Sequence, residues 1–317
     1  MISVICPTFN EEKFIGKILD FFVNSKPEDK ELFIVDGGSK DKTCDIVLDY
    51  SRKHPNVYLL HNKNKYVPYA FNMGIDKAKG EYITIIGAHS EYSIDYFEKI
   101  LETFQKVDAD IVGGPALTKY NNIFQAAVGN AISSKFGTGD SKSHYANYTG
   151  YADSVTFGTF KREVFNEVGL FDTRLVRNQD DELFYRAKSM GKKLYLTPDI
   201  KLWYYPRDNI KGLFKQYFQY GEYKPLVLKK VKSEIKLRHL MPMFFTLYFL
   251  SLPLSAVSIF WLLPLAIYLL QDLIFSFRGN KTIKGKLISI IVYPAIHLGY
   301  GSGFIYGLYR LLIAKNY

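Results

Sequence analysis

The chain has 317 residues, a formal net charge of +10 and two cysteines, Cys6 and Cys44. So few cysteines exclude a disulfide framework and a cysteine-rich zinc site. The basic residues gather in two clusters, residues 229–238 and 278–286, beside a long apolar segment. Such placement is typical of proteins that meet anionic lipid heads, so we exclude nucleic acid as the partner.

Strands and helices alternate over the first third of the chain. Apolar runs predict strands in "ISVICPTFN", "ELFIVDGGS", "VYLLHN" and "EYITIIGAH", and the segments between them have helical periodicity. This alternation predicts an α/β fold in which a parallel sheet is covered by helices on both faces. Ligands bind such sheets at the carboxyl ends of the strands, where Thr8, Asp36 and His89 lie.

The sharpest local motif is "IVDGGSKDKT", residues 34–43. Asp36 ends a strand, and Gly37 and Gly38 allow a tight turn after it. A carboxylate at this point can accept a hydrogen bond from a base N–H and so distinguish uracil. Taken alone, Asp36 is better explained as a turn former or a helix cap.

The middle of the chain is less regular. After another strand in "DADIVGGPA", residues 117–153 are rich in Gly, Ser, Asn and Tyr, and we expect a long loop with some helix over the active site. Residues 210–239 alternate aromatic and basic residues at helical spacing. That pattern predicts helices lying on a membrane surface.

The C-terminal region is mostly apolar. Residues 240–277 carry one charge, Asp272, and predict two membrane spans, 240–258 and 259–277, with a turn near residues 255–258. Residues 287–309 form a third candidate span, in which Gly299, Gly303 and Gly307 favour close helix packing. A re-entrant or surface segment is the alternative for 287–309, and a buried soluble helical domain is the alternative for the whole region.

The basic flanks predict the topology. Positive residues stay on the cytoplasmic side, so both ends of the first two spans should face the cytosol. The first strand begins at residue 2 with no signal peptide before it, so we expect the N-terminal domain in the cytosol as well. The sequence thus predicts a multi-pass protein of the cell membrane with its catalytic domain on the cytoplasmic side.

Several ordered blocks resemble one enzyme family. They include "PTFNEE", "VPYAFNMGIDKAKGEYI", "AISSKFGTGDSKSHY", "YADSVTFGTFKREVFNEVGLFD", "LVRNQDDELFYR" and "LFKQYFQYGEYK". Over about residues 2–225 the chain resembles the inverting family 2 glycosyltransferases, and within them the exopolysaccharide sugar transferases of the succinoglycan type. The resemblance implies an α/β GT-A domain, a Rossmann-like nucleotide-diphospho-sugar transferase fold, over residues 1–209. Interfacial helices at 210–239 and a membrane region at 240–317 would follow.

The resemblance also implies roles for individual residues. Asp180 matches the catalytic base of the family. The nucleotide-sugar pocket would include Thr8, Glu11, Asp36, Lys65, Asn72, Gly87 and Ala88. The region near the acceptor and the diphosphate would include Gln179, Asp181, Arg207, Gln216, Tyr217 and Gly221.

The chemistry of Asp180 agrees with that role. A sugar hydroxyl becomes a good nucleophile as it loses its proton, and a nearby carboxylate can take that proton. Repulsion among Asp180, Asp181 and Glu182 would raise a pKa, whereas a helix N-terminus would lower it. The sequence leaves the net direction of this shift open.

The leaving nucleoside diphosphate develops negative charge, which a metal or cationic side chains must stabilise. The family usually supplies a D-x-D motif, and here those positions are Gly87, Ala88 and His89. A neutral histidine can ligate Mn²⁺, so we expect a Mn²⁺ or Mg²⁺ site that uses His89 and the diphosphate. Arg207 or Lys65 would share the charge, and a metal-independent site is the alternative.

Three functions remain open at this stage. The first is a membrane-bound inverting glycosyltransferase that moves a sugar, glucose or galactose being a reasonable guess, from a UDP-sugar to a polyprenyl-diphosphate-linked glycan. It would act in polysaccharide or cell-surface glycan assembly. The second is a polyprenyl-phosphate sugar transferase, whose phosphate acceptor needs no base. The third, suggested by the missing acid at Gly87, is a non-catalytic nucleotide-sugar-binding subunit of a glycan assembly complex.

Overall fold

The computed structural model describes residues 1–313 and divides into two compact units. The sheet unit comprises Met1–Leu117 and Tyr145–Tyr204, and the helical unit comprises Thr118–His144 and the chain from Tyr205 onward. The end of the sheet unit lies close to the domain boundary predicted at residue 209. Residues 118–144 differ from the prediction, because they group with the C-terminal helices and not with the sheet.

The secondary structure alternates as predicted through the first third of the chain. The strands are β1 (Ile2–Thr8), β2 (Lys30–Asp36), β3 (Val57–His61), β4 (Tyr82–Ile85), β5 (Ser90–Tyr92), β6 (Ile111–Gly114), β7 (Leu117–Thr118), β8 (Gly150–Tyr151), β9 (Thr156–Lys161), β10 (Leu194–Leu196) and β11 (Leu202–Tyr204). The helices are α1 (Ile15–Asn24), α2 (Thr43–Lys53), α3 (Val67–Lys77), α4 (Tyr96–Lys106), α5 (Ile123–Ile132), α6 (Lys135–Thr138), α7 (Arg162–Val168), α8 (Gln179–Ser189), α9 (Ile210–Lys230), α10 (Leu237–Leu250), α11 (Leu263–Gly279) and α12 (Ile283–Ile313).

Eight strands form one sheet in the order β3-β2-β1-β4-β9-β6-β10-β8. The strands β1 to β4 pair in parallel, as predicted. The sheet as a whole is mixed, because β9 runs antiparallel to both β4 and β6. A second, smaller sheet has the order β5-β11-β7.

The strand β1 shows how the sequence builds a core on both faces of the sheet. Val4 and Cys6 belong to a buried cluster with residues of α1 and α4, while Ile5 belongs to another cluster with residues of α3, α7 and α8. Successive side chains of a strand point to opposite faces, so an unbroken apolar run such as "VIC" serves both clusters.

In the helical unit, α12 packs closely along α9. A Cβ added at Gly303 would lie 2.0 Å from the carbonyl oxygen of Phe218, and one added at Gly221 would lie 2.0 Å from that of Tyr300. Glycine is required here because the two backbones touch. The close packing predicted from the glycine spacing is therefore found. Its partner is α9, which carries several lysines, so this face of residues 287–309 does not contact lipid.

The apolar segment 240–277 forms a helical hairpin, with its turn where the sequence predicts it. Tyr248 donates its hydroxyl to the carbonyl oxygen of Trp261 at 2.7 Å, and Trp261 donates its indole N–H to Ser251 at 3.1 Å. The helix predicted over 240–258 is shorter than expected: α10 ends at Leu250, close before Pro253. Within residues 1–313, Ile259–Gly279 and Ile283–Ile313 are long and apolar enough to cross a membrane.

Candidate active site

The carboxyl ends of β1 and β2 bring the first candidate residues together. Thr8 and Asp36 are register partners at the last positions of these strands, and both are buried. The N–H of Gly37 donates to the carbonyl oxygen of Thr8 at 2.8 Å. The hydroxyl oxygen of Thr8 is buried and has no hydrogen-bond partner among residues 1–313. Such an atom is suited to a bound ligand, since an unpaired buried polar group costs stability.

The Asp36 carboxylate organises the turn that follows β2. Its Oδ2 atom accepts hydrogen bonds from the N–H groups of Gly38 at 2.8 Å and Ser39 at 2.9 Å, and its Oδ1 atom accepts one from the Ser39 hydroxyl. The turn-forming role considered from the sequence is therefore present. An ionised carboxylate has about four acceptor positions, so Asp36 retains capacity for a base N–H.

Two further side chains adjoin Asp36 that the sequence analysis did not single out. The ligand atoms of Asp36, Cys44 and His61 lie within 4.8 Å of one another. The pairing of β2 with β3 places His61 opposite Asp36, a signal that was open to sequence reasoning. Burial, with the Asp36 carboxylate adding to it, raises the pKa of Cys44 to about 11, so the thiol stays protonated and is a poor ligand for Mn²⁺ or Mg²⁺.

The loop after β1 is tied to the loop after β2. Asn10 donates its N–H to the Ser39 hydroxyl at 2.8 Å, and its side-chain oxygen accepts the N–H of Lys40 at 2.9 Å. Lys65 is exposed, and its carbonyl oxygen lies 3.1 Å from the position of a Cβ at Gly37. The backbone of Lys65 thus lies against the Asp36 turn.

Glu11 and His89 form a pair at the same edge of the sheet. The Nε2 atom of His89 lies 2.8 Å from Oε1 of Glu11. The Glu11 side chain is 8% exposed and that of His89 is 66% exposed, so the carboxylate is fixed inside the protein while the imidazole faces solvent. The ring of Phe14 meets the His89 ring edge-on, with centroids 4.9 Å apart.

The structure explains why position 87 carries no acid. The turn Gly87–Ser90 is closed by the N–H of Ser90, and the N–H of Gly87 donates to the Tyr92 hydroxyl at 2.7 Å. A Cβ at Gly87 would lie 2.7 Å from the ring of Phe157, a residue with φ of +45°. Phe157 could not be identified from the sequence, because its contact with Gly87 depends on tertiary packing. Ala88, beside it, is buried.

Asp180 lies in the first turn of α8 and is exposed. Its Oδ1 atom accepts the N–H of Asp181 at 2.9 Å. Glu182 differs from it, because it is fully buried and makes two 2.9 Å hydrogen bonds with Arg186. Of the acidic run, Glu182 is therefore structural, while Asp180 faces solvent. Gln179 and Asp181 are half-buried beside it.

Both the nitrogen and the oxygen of the Asn72 side-chain amide make hydrogen bonds within the protein. Its amide N–H₂ donates to the carbonyl oxygen of Phe171 at 2.9 Å, and its amide oxygen accepts the N–H of Phe171 at 3.0 Å. These bonds tie α3 to the segment that precedes α8 and Asp180. The sequence analysis missed this link, because 99 residues separate the two positions.

The remaining candidates lie in the helical unit. Arg207 is exposed in the loop before α9. Within α9, Gln216 donates to the Tyr220 hydroxyl at 3.1 Å, and the rings of Tyr217 and Tyr220 meet edge-on at 5.7 Å. Gly221 serves the contact with α12 described above.

Comparison with known proteins gives matches over nearly the whole chain. A dolichyl N-acetyl-alpha-D-glucosaminyl phosphate 3-beta-D-2,3-diacetamido-2,3-dideoxy-beta-D-glucuronosyltransferase from Methanococcus voltae is 32% identical, over 99% of this chain and 98% of the relative. The succinoglycan biosynthesis protein ExoA of Rhizobium meliloti (strain 1021) is 27% identical, over 95% of this chain and 93% of its own length.

A solved structure shares the fold. The mannosyltransferase PcManGT from Pyrobaculum calidifontis, in complex with GDP-Man and Mn²⁺, superposes with a TM-score of 0.69 at 17% identity, covering 98% of this chain and 87% of its own. The α/β GT-A-like domain followed by long apolar helices is thus confirmed. Residues 3–169 match the family described as Glycosyl transferase family 2. Together with the full-length similarity to the archaeal enzyme, this match shows that the chain belongs to glycosyl transferase family 2 and is a glycosyltransferase.

Proposed function

We propose that the chain is a membrane-bound inverting glycosyltransferase that moves a sugar from a UDP-sugar to a lipid-linked acceptor. The observation that carries this proposal is the edge formed by β1, β2 and the turn after β4. There Asp36 is the register partner of Thr8, whose hydroxyl has no partner within residues 1–313, and Glu11 is paired with His89 at the same edge. This edge is where α/β sheets bind nucleotides.

Asp36 would recognise the base of the donor nucleotide. Its carboxylate would accept the N–H of uracil, with Thr8 and the backbone around Lys65 forming the neighbouring wall. Gly87 and Ala88 offer no side chain larger than a methyl group, which allows the backbone of their turn to approach the donor. Glu11 and the amide of Asn72 complete the segment that we assign to the nucleotide sugar, Asn72 by holding α3 in place.

Asp180 would act as the general base. It would accept the proton of the acceptor hydroxyl as that oxygen forms a bond to the anomeric carbon and the bond to the nucleoside diphosphate breaks. A single displacement of this kind inverts the anomeric centre. Its exposure at the start of α8 leaves the carboxylate accessible to an acceptor. Gln179, Asp181, Gln216, Tyr217 and Gly221 are assigned to the acceptor and diphosphate region.

The residues present fit a divalent cation. Glu11 has a buried carboxylate oxygen with no partner within residues 1–313, and His89 offers an exposed imidazole next to it. A bound Mn²⁺ or Mg²⁺ would neutralise charge on the departing diphosphate. His89 would hold it, and Arg207 or Lys65 would share that charge.

The acceptor is proposed from chemistry and similarity together. The name of the archaeal relative describes a sugar transfer to a dolichyl-phosphate-linked sugar. In this chain the α10–α11 hairpin exposes large apolar side chains, among them Val257 at 86% and Phe260 at 80%. As the two membrane spans predicted from the sequence, with the basic clusters at the cytoplasmic lipid heads, the hairpin would hold the enzyme where a polyprenyl-linked glycan is found.

The test is transfer into lipid. Purified protein in detergent, mixed with a lipid extract of its source, is supplied with a panel of labelled nucleotide sugars. We expect label in the lipid phase from one UDP-sugar and a loss of about 100-fold or more in Asp180→Asn. The matched control, Asp76→Asn at an exposed carboxylate of α3, should retain most activity. Full activity in Asp180→Asn would favour a phosphate acceptor, and UDP binding without any transfer would favour a binding subunit.

A further inference from the structure

The pairing of Glu11 with His89 fixes the proton of the imidazole. An ionised carboxylate can only accept a hydrogen bond, so the Nε2 atom of His89, 2.8 Å from Glu11 Oε1, must carry the hydrogen. A neutral imidazole has one N–H and one lone pair. The lone pair of His89 therefore lies on Nδ1, the nitrogen that is not bonded to Glu11.

Both partners are held in place by their surroundings. The N–H of Glu11 donates to the Thr43 hydroxyl at 2.7 Å, and its carbonyl oxygen accepts the N–H groups of Phe14 at 2.9 Å and Ile15 at 2.8 Å. The ring of Phe14 packs against His89, and the turn before His89 is anchored through Gly87. The carboxylate is thus preset before any ligand arrives.

The second carboxylate oxygen of Glu11, Oε2, is also placed to act on a cation at this edge. It is buried and lacks a hydrogen-bond partner within residues 1–313. A buried carboxylate oxygen without a donor is costly, and the positive charge of a nearby cation would relieve that cost. Position 87 supplies no carboxylate, because Phe157 occupies the space where a Cβ would lie. The orientation of His89 is correspondingly more important for any cation at this edge.

We propose that Glu11 is a positioning residue, which holds His89 with its proton on Nε2 so that Nδ1 faces the divalent cation bound with the nucleoside diphosphate. Histidines that bind metals usually donate their other N–H to a carboxylate, which fixes the ring and its tautomer. This inference rests on the proposed function, since the cation and the nucleoside diphosphate belong to it.

The test is Mn²⁺ binding in the presence of UDP, followed by electron paramagnetic resonance. Titration gives the affinity, and pulsed measurements detect a nitrogen coordinated to Mn²⁺. We expect nitrogen coupling in the unmodified protein and its loss in His89→Gln. Glu11→Ala should weaken Mn²⁺ about 10–100-fold. Glu11→Gln should restore part of that loss, because its amide oxygen still accepts the Nε2 hydrogen.

Matched controls separate the possible failures. Glu12→Ala and Glu12→Gln change the exposed neighbouring carboxylate and should leave Mn²⁺ affinity unchanged. UDP binding without metal and the melting temperature of each variant show that the pocket is folded. If UDP binding persists, any of three results would overturn the inference. These are unchanged nitrogen coupling in His89→Gln, unchanged Mn²⁺ affinity in Glu11→Ala, and no Mn²⁺ binding at all. If the unmodified protein does not bind UDP, the proposed function itself would be overturned.

Discussion

At the scale of single residues, some polar atoms of the site have no hydrogen-bond partner within residues 1–313, and others are hydrogen-bonded to the protein. Thr8 and Glu11 each have a buried oxygen without a partner among residues 1–313, whereas Asp36 and Asn72 are bonded by the protein. Thr8 is suited to contact the donor directly, whereas we propose that Glu11 acts through His89. The others hold the pocket in shape, and Asp36 retains an acceptor position.

Cys44 provides a native probe of the nucleotide pocket. Because its pKa is raised to about 11, the reactive thiolate fraction should increase about tenfold per pH unit between pH 8 and pH 10. We expect the rate of maleimide labelling to follow this increase and UDP to slow it. Cys44→Ser, which retains the buried Cys6, is the control. A labelling rate that levels off near pH 8.5 would contradict the raised pKa.

Gly87 and Phe157 should be energetically coupled. Gly87→Ala brings a Cβ to 2.7 Å from the Phe157 ring, so we expect destabilisation of about 1–3 kcal/mol in thermal melts. In a Phe157→Ala background the same change should cost almost nothing, since the ring is gone. Gly16→Ala, at a helical position with open space around it, is the control and should not destabilise. Equal losses in both backgrounds would refute the coupling.

At this scale the sequence predicts the residue types of the site better than their partners. Asp36 ends β2, while Glu11 and His89 follow β1 and β4, so their common edge was predictable from the alternation of strands and helices. The engagement of Asn72 by Phe171 and the ring of Phe157 over Gly87 were not predictable, because both contacts join segments far apart in the chain.

At the scale of elements, α9 and α12 pack so closely that their backbones touch. Glycines lie on both sides of it: Gly221 on α9, and Gly299, Gly303 and Gly307 on α12. An ion pair between Glu222 and Arg310 links the same two helices. The glycine spacing predicted close packing, but only the structure identifies α9 as the partner.

Gly303→Ala should separate these helices. Its Cβ would lie 2.0 Å from the backbone oxygen of Phe218, which cannot rotate away as a side chain can. We expect a loss of about 3 kcal/mol and faster proteolysis within the helical unit. Gly279→Ala, whose Cβ would have an ordinary 3.5 Å contact, is the matched control. Equal protease resistance of the two variants would contradict the packing.

At the scale of the whole molecule, the helices of the apolar C-terminal region differ in how far the rest of the protein covers them. The α10–α11 hairpin exposes its large apolar side chains, while α12 is held along α9. The sequence predicted the hairpin and its turn from composition. It could not show that the third candidate span packs on a lysine-bearing helix, since hydropathy reports composition and not partners.

The two tryptophans of the chain allow the membrane contact to be tested. Trp261 lies at the exposed end of the hairpin, and Trp203 lies in the sheet unit. In Trp203→Phe, brominated lipids in vesicles should strongly quench the remaining fluorescence if the hairpin enters the hydrocarbon, as we propose. In Trp261→Phe, the fluorescence of Trp203 should change little. Similar quenching in both variants would show that the hairpin is not the membrane contact.

The pairing of α9 with α12 also bears on how the chain is made. During synthesis α9 leaves the ribosome well before α12 does. The face of α9 that carries Gly221 therefore has no partner until α12 has been made. The strands β1 to β4 have no such delay, because all of their pairings are complete before α9 is translated. The helical unit therefore acquires its structure late. A nascent chain stalled before residue 283 would carry an unpaired α9 that is open to chaperones and proteases.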